Sequence, residues 1–173
     1  MNINILKNSF RKGRVTLPVD PAGMASSPEL DKLGAELKRT IRDRFGRSLH
    51  IRQVDTGSCG ACESEIIACS NPLYDIQRFG IDFVASPRHA DALMVTGPVS
   101  RNMELALKKT YEAMPGPKFV IGVGSCAKGG YLFKDSYYTR GGLENVLPVT
   151  LHIPGCPPSP MAIMSSLLSF LKK

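Results

Sequence analysis

Residues 90–130, ADALMVTGPVSRNMELALKKTYEAMPGPKFVIGVGSCAKGG, read as strand, helix, strand. ADALMVTG (90–97) and KFVIGVG (118–124) are apolar runs of the kind found in parallel strands buried on both faces. The helix between them runs from Arg101 to Met114 and is stopped by Pro115-Gly116-Pro117. Outward from this unit, LHIRQV (49–54), IDFVAS (81–86) and PVTLHI (148–153) read as further strands. A short helix from about Glu63 to Ser70 follows the first strand, and a last helix, Met161 to Leu171, follows the final one. Strands alternating with helices predict a doubly wound α/β sandwich with a mostly parallel sheet in flavodoxin-like order.

Upstream, Pro18, Pro21, Gly23, Ser26, Ser27 and Pro28 break any regular element in the first 28 residues. A helix is predicted from the Ser27/Pro28 boundary, since proline is tolerated at the first helical position. Its apolar stripe is Leu30, Leu33, Leu37, Ile41 and Phe45, and Gly46 stops it. The chain thus divides into a basic arm with an amphipathic helix (1–47) and an α/β domain (48–173).

Four cysteines stand just past predicted strands: Cys59 and Cys62 in GSCGAC, Cys126 in GVGSCAKGG, and Cys156 in IPGCPPSP. Loops leaving the carboxyl ends of parallel strands open on one edge, so thiols separated by 63 and 29 intervening residues can converge there. Glycines crowd these sulfurs, which suits a group whose sulfurs are tuned by closely approaching backbone N–H donors. Converging thiolates in a reducing compartment imply metal, and this pattern argues for an iron–sulfur cluster. Structural zinc is the competitor, but it normally takes two Cys-x₂-Cys knuckles, and this chain has one. Cys69, among Ile66, Ile67 and Ala68, reads as a small core hydrophobe.

Composition sets the limits. At 173 residues, 43% hydrophobic and 21% charged, the chain is long enough for a real core and ordinary for a globular protein. No stretch approaches the ~20 apolar residues that span a bilayer, and the N-terminus shows no secretory h-region or cleavage site. Five cysteines, an odd number, also argue against a complete disulfide framework. The net charge is +7, of which the segment up to Arg47 carries +5, with ten Lys and Arg against five Asp and Glu. Such an arm fits docking on an acidic protein surface or anionic headgroups, or a solvated tail. No helix-turn-helix, zinc-finger or RNP signature accompanies it, so no nucleic-acid partner is expected. Nothing resembles a Ser/His/Asp arrangement, and GVGSCAKGG lacks the Lys-Ser/Thr of a phosphate loop.

VDTGSCGACESEI (54–66), SPRHADALMVTGPV (86–99), GSCAKGG (124–130) and IPGCPPSP (153–160) together carry a resemblance. In order and register, over residues 48–171, the chain resembles the small cluster-bearing subunit shared by respiratory complex I (the 20 kDa subunit family) and membrane-bound [NiFe] hydrogenases. The resemblance implies one [4Fe–4S] cluster held by Cys59, Cys62, Cys126 and Cys156. It also implies an electron-transfer subunit on the cytoplasmic face of the inner membrane, with bond chemistry on a large catalytic subunit. A ferredoxin-like iron–sulfur subunit and ion-pumping membrane subunits are the other implied partners. Complex I proteins carry adjacent cysteines at the first motif. Cys59-Gly60-Ala61-Cys62-Glu63 is instead similar to the form in energy-converting hydrogenases and formate hydrogenlyase, so the implied acceptor is a NiFe centre. The alternatives are the equivalent subunit of a quinone reductase or a hydrogenase-related complex, and a zinc-stabilised assembly module without redox role.

Glu65 is the candidate proton relay, by analogy with hydrogenases; for Glu63 and Glu65 the other reading is helix N-terminal charge that suits the macrodipole. Arg88 and His89 read as hydrogen bonding across a turn, or as positive charge that tunes a redox centre. Lys128, Tyr131, Tyr137, Tyr138 and Arg140 form a polar, aromatic stretch expected to face a partner.

Overall fold

The computed structural model describes residues 27–173; the arm of residues 1–26, with its predicted irregularity and docking role, lies outside the described residues. Five strands form one sheet: β1 (Leu49–Asp55), β2 (Ile81–Phe83), β3 (Ala92–Thr96), β4 (Phe119–Val123) and β5 (Leu151–Ile153). Their order is β2-β1-β3-β4-β5, and every pairing is parallel. All five residues of central β3 are buried, as a strand covered on both faces requires. The doubly wound reading holds.

Helices α1 (Pro28–Phe45), α2 (Ala61–Ala68) and α4 (Pro160–Leu171) share one core with one face of the sheet. Helix α3 (Arg101–Ala113) contributes Leu107 to a second core on the other face, with Leu93, Val95, Val120 and Leu143. The α1 stripe is buried at Leu30, Leu37 and Ile41, with Leu33 and Phe45 packed beside them. Gly46 ends α1 in the left-handed region at φ 67°, its N–H donating to Arg42 O at 2.9 Å. Arg44 then ties α1 to the end of α4 through Leu171 O at 2.6 Å. Because α1 shares its core with the sheet, a boundary at residue 47 does not separate two cores among the described residues.

Several element boundaries differ from the sequence reading, three of them for a clear physical reason. Strand β2 ends at Phe83 rather than Ser86, because Ser86 caps a 3₁₀ turn at Pro87–His89 by accepting the Arg88 N–H at 3.4 Å. Strand β5 starts at Leu151 rather than Pro148, a residue with no donor for the ladder. Helix α2 starts at Ala61, just after Gly60 at φ 86°, so Cys62 sits in its first turn. Among the described residues no helix is long and apolar enough to cross a membrane.

Leu37 on α1 is fully buried in the larger core, whereas Ile67 on α2 is 68% exposed. Leu37→Ala is expected to cost about 2–5 kcal/mol, and Ile67→Ala no more than ~0.5 kcal/mol. Urea unfolding checks both; equal effects would contradict the placement of α1 in the core.

Candidate metal centre

Each thiol is positioned by the sheet. After β1, Asp55 Oδ1 accepts the N–H groups of Gly57 and Ser58, each at 2.9 Å, and folds the chain into the Cys59 turn. Buried Thr56 anchors that turn to the end of β3, its N–H and Oγ1 both donating to Thr96 O at 3.1 and 2.8 Å. After β4, Gly124 N–H donates to Ile153 O at 2.9 Å and Ser125 N–H to Gly155 O at 2.7 Å. The Cys126 and Cys156 loops are thereby joined main chain to main chain. The Cys156–Pro157 peptide is cis.

Cys59, Cys126 and Cys156 all lie within electrostatic reach of Cys62, and Cys59 and Cys156 also within reach of Cys126. Burial is the main cause that pushes the Cys62 thiol up to about 12, and Glu63, Cys126, Cys59 and Cys156 each add to it. Cys126 is raised by burial first, then by Cys156 and Cys59. Cys59 and Cys156 are exposed, so the site opens outward. Among the described residues, no three or more His, Cys, Asp or Glu side chains converge as ligands of a single metal ion must. The glycine beside the thiols is required: Gly124 has φ 83°, and a Cβ there would stand 2.6 Å from Cys62 Sγ.

Cys69 is apart from this group. It is fully buried in the core, and its thiol is pushed up to about 12 by burial and then by Glu65, with no contribution from another cysteine. Glu65 thus lies toward Cys69, and Glu63 is the carboxylate at the thiols. Ser58 Oγ donates to Glu63 Oε2 at 2.6 Å, while Glu63 Oε1 is buried with no partner. The Ser58–Glu63 pairing escaped the sequence reading, although the spacing of five residues across a helix start was available as a signal.

Arg88 and His89 lie on the 3₁₀ turn, where the Arg88 N–H donates to Ser86 Oγ at 3.4 Å and the His89 N–H to Ser86 O at 3.2 Å, while His89 O meets His50 Nδ1 at 3.1 Å. In the segment after Cys126, Tyr131, Leu132, Phe133, Tyr137 and Tyr138 are all exposed. Their backbone is held firmly: Arg101 N–H donates to Tyr138 O at 2.9 Å, Arg140 N–H to Val99 O at 2.7 Å, and Arg140 Nε meets Glu104 at 2.5 Å. Sequence reading also missed His152. It lines a cleft of about 270 Å³ with Ser125, Lys128 and Tyr131, and burial lowers its pKa against the opposing pull of Glu144 at 3.7 Å.

Residues 59–170 match the family described as NADH ubiquinone oxidoreductase, 20 Kd subunit. The chain belongs to that family. It is 44% identical over 144 residues to the probable membrane-bound hydrogenase subunit mbhJ of Pyrococcus furiosus, covering 83% of this chain and 84% of that one. Formate hydrogenlyase subunit 7 of Escherichia coli is 40% identical over 147 residues, 85% of this chain and 58% of its own length. An NADH-quinone oxidoreductase subunit of Clostridium beijerinckii is 44% identical over 119 residues, covering 68% of this chain and 70% of its own length. A chain in the solved structure of the membrane-bound sulfane sulfur reductase, an archaeal respiratory membrane complex, superimposes with a TM-score of 0.65 at 32% identity, covering 79% of this chain and 74% of that one. As a member of the family, this chain is an oxidoreductase subunit, the small subunit of a membrane-bound hydrogenase or complex I-like assembly.

Two buried thiols with raised pKa values give the metal-free protein a defined alkaline response. The unfolded chain ionises near the ordinary thiol value of 9.0, whereas folded Cys62 and Cys69 keep their protons to about 12. Across that window the folded state binds more protons, so stability falls as pH rises. Urea midpoints from pH 9 to 12 are expected to decline, with a shallower decline in Cys69→Ala. An identical slope in that variant would refute the assignment.

Proposed function

We propose that this chain is the electron-transfer small subunit of a membrane-associated energy-converting [NiFe] hydrogenase of the formate hydrogenlyase type. Cys59, Cys62, Cys126 and Cys156 would hold one [4Fe–4S] cluster. The observation that carries this reading is the gathering of Cys59, Cys126 and Cys156 within electrostatic reach of Cys62 at the strand-end edge, with Gly124 leaving room at Cys62 Sγ where any side chain would intrude. The donor set fits such a group, because cluster ligands attach at separate corners of a body larger than one ion. Bound there, the cluster supplies one-electron transfer at the protein surface.

The chain's own residues have separate tasks. Gly124, Ser125 and Gly155 hold the Cys126 and Cys156 loops together. Ser58 orients Glu63 beside the thiols, and Glu65 is retained as the candidate proton relay toward a partner. The exposed aromatic segment from Tyr131 to Tyr138 supplies a rigid surface for the large catalytic subunit. A ferredoxin-like subunit and ion-pumping membrane subunits complete the assembly, on the cytoplasmic face of the membrane. A second reading keeps the electron relay and replaces the NiFe centre by a quinone or another acceptor. It is favoured by the likeness to a sulfane sulfur reductase complex and to an NADH-quinone oxidoreductase subunit.

Anaerobically purified assembly is expected to contain about four iron and four acid-labile sulfide per copy of this chain. Cys126→Ser, Cys156→Ser and Gly124→Ala should each lower both contents severely, and Cys69→Ser should leave them unchanged. Stoichiometric zinc without sulfide would overturn the electron-transfer reading. Nickel in the co-purified large subunit separates the first reading from the second.

A further inference from the structure

On the β2 side the sheet stops short of its own second strand. The β1–β2 register ends at Ile51↔Phe83, and its last hydrogen bond is Val84 N–H to Ile51 O at 2.9 Å. Strand β1 runs on to Asp55, paired from there only with β3. Alternate residues of a parallel strand turn their main-chain groups to opposite neighbours. Leu49 and Ile51 face β2, as the Leu49 N–H to Gly80 O bond shows, so Gln53 turns its N–H and C=O toward the missing continuation of β2.

A cleft of about 400 Å³ occupies that place, lined by Arg52, Gln53, Asp55, Phe83, Val84 and Ala85. Arg52 is half-buried, and its Nε is buried with no hydrogen-bond partner. Arg44, Arg47, Arg78 and Arg140 all reach acceptors, and Arg52 makes no ion pair among the described residues. The one carboxylate lining the cleft, Asp55, is committed to the N–H groups of Gly57 and Ser58. A half-buried guanidinium with no ion-pair partner among the described residues, beside an open strand edge, offers both recognition elements of a receptor. The guanidinium fork matches a carboxylate, and the strand edge takes an extended main chain.

We propose that this cleft receives an acidic side chain carried on an extended segment of another subunit of the assembly, its carboxylate on Arg52 and its main chain along β1 at Gln53. The cleft adjoins the turn that carries Cys59, so the contact fixes the partner's position next to the thiols. The inference rests on the chain being a small subunit of a larger assembly, and not on what its cysteines hold.

The test uses the assembled complex, purified through a tag on this chain. A photoreactive benzophenone residue placed at exposed Ala85 is expected to cross-link one peptide of another subunit that contains Asp or Glu. Arg52→Glu is expected to lower recovery of that subunit at least tenfold, with Arg52→Gln intermediate. Changing the cross-linked acid to Lys is expected to restore recovery with Arg52→Glu. Full recovery with Arg52→Glu, cross-links confined to this chain (residues 1–26 included), or a peptide without an acidic residue would each overturn the proposal. The cross-link is read with Arg52 intact, so it decides even where Arg52→Glu does not fold. Iron and sulfide measured on the same preparations report on the cluster separately, so the two readings fail independently.

Discussion

Gly124 N–H to Ile153 O and Ser125 N–H to Gly155 O continue the β4–β5 ladder past the last paired strand residues. Through them the sheet register itself places the Cys126 and Cys156 loops. Thr56 does the same on the other side, where its N–H and hydroxyl both meet Thr96 O beyond the β1–β3 pairing. Register in a sheet buried on both faces is strongly specified, because a one-residue slip exchanges every side chain between the faces. The fully buried β3 in the middle is therefore what the thiol positions depend on, although it contributes no thiol.

Much of this arrangement is local in character and could be read from the chain directly. The apolar runs of β3 and β4, the stripe of α1, and a cysteine shortly after β1, β4 and β5 are patterns within short windows. Cys69 is equally transparent: its neighbours Ile66 and Ile67 and its distance from the glycine-rich turns mark it as packing. The lengths of β2 and β5 were not legible in the same way. Val84 and Ala85 suit a strand as well as Phe83 does, and the strand ends because Ser86 and Pro87 start a 3₁₀ turn that leads the chain away from β1. The open main chain at Gln53 follows from that ending, so no window around Gln53 contains it. The Ser58–Glu63 bond lay hidden for a related reason: α2 starts two residues earlier than its apolar content suggests, at a glycine in the left-handed region.

The two faces of the sheet are covered unequally. Three helices bury one face in the larger core, which includes Cys62 and so ties one thiol to the close-packed interior. The other face has α3 and the irregular segment from Tyr131 to Leu147, whose exposed aromatics are anchored through main-chain bonds to α3 and the residues before it. Aromatic side chains on a fixed backbone lose little conformational freedom on binding, so a partner gains contact area at low entropic cost.

Both outer strands, β2 and β5, are only three residues long. A long, flat outer strand is a template on which further copies of a chain can stack without limit. Here β2 and β5 offer only three residues each, Pro148 and Pro154 lie on either side of β5, and the open edge left on the β2 side is confined to the short end of β1 beyond Ile51. A small subunit of a multi-subunit assembly is open to self-association until that assembly forms. Brevity at the sheet margins reduces the hazard without altering the interior that holds the cysteines in place.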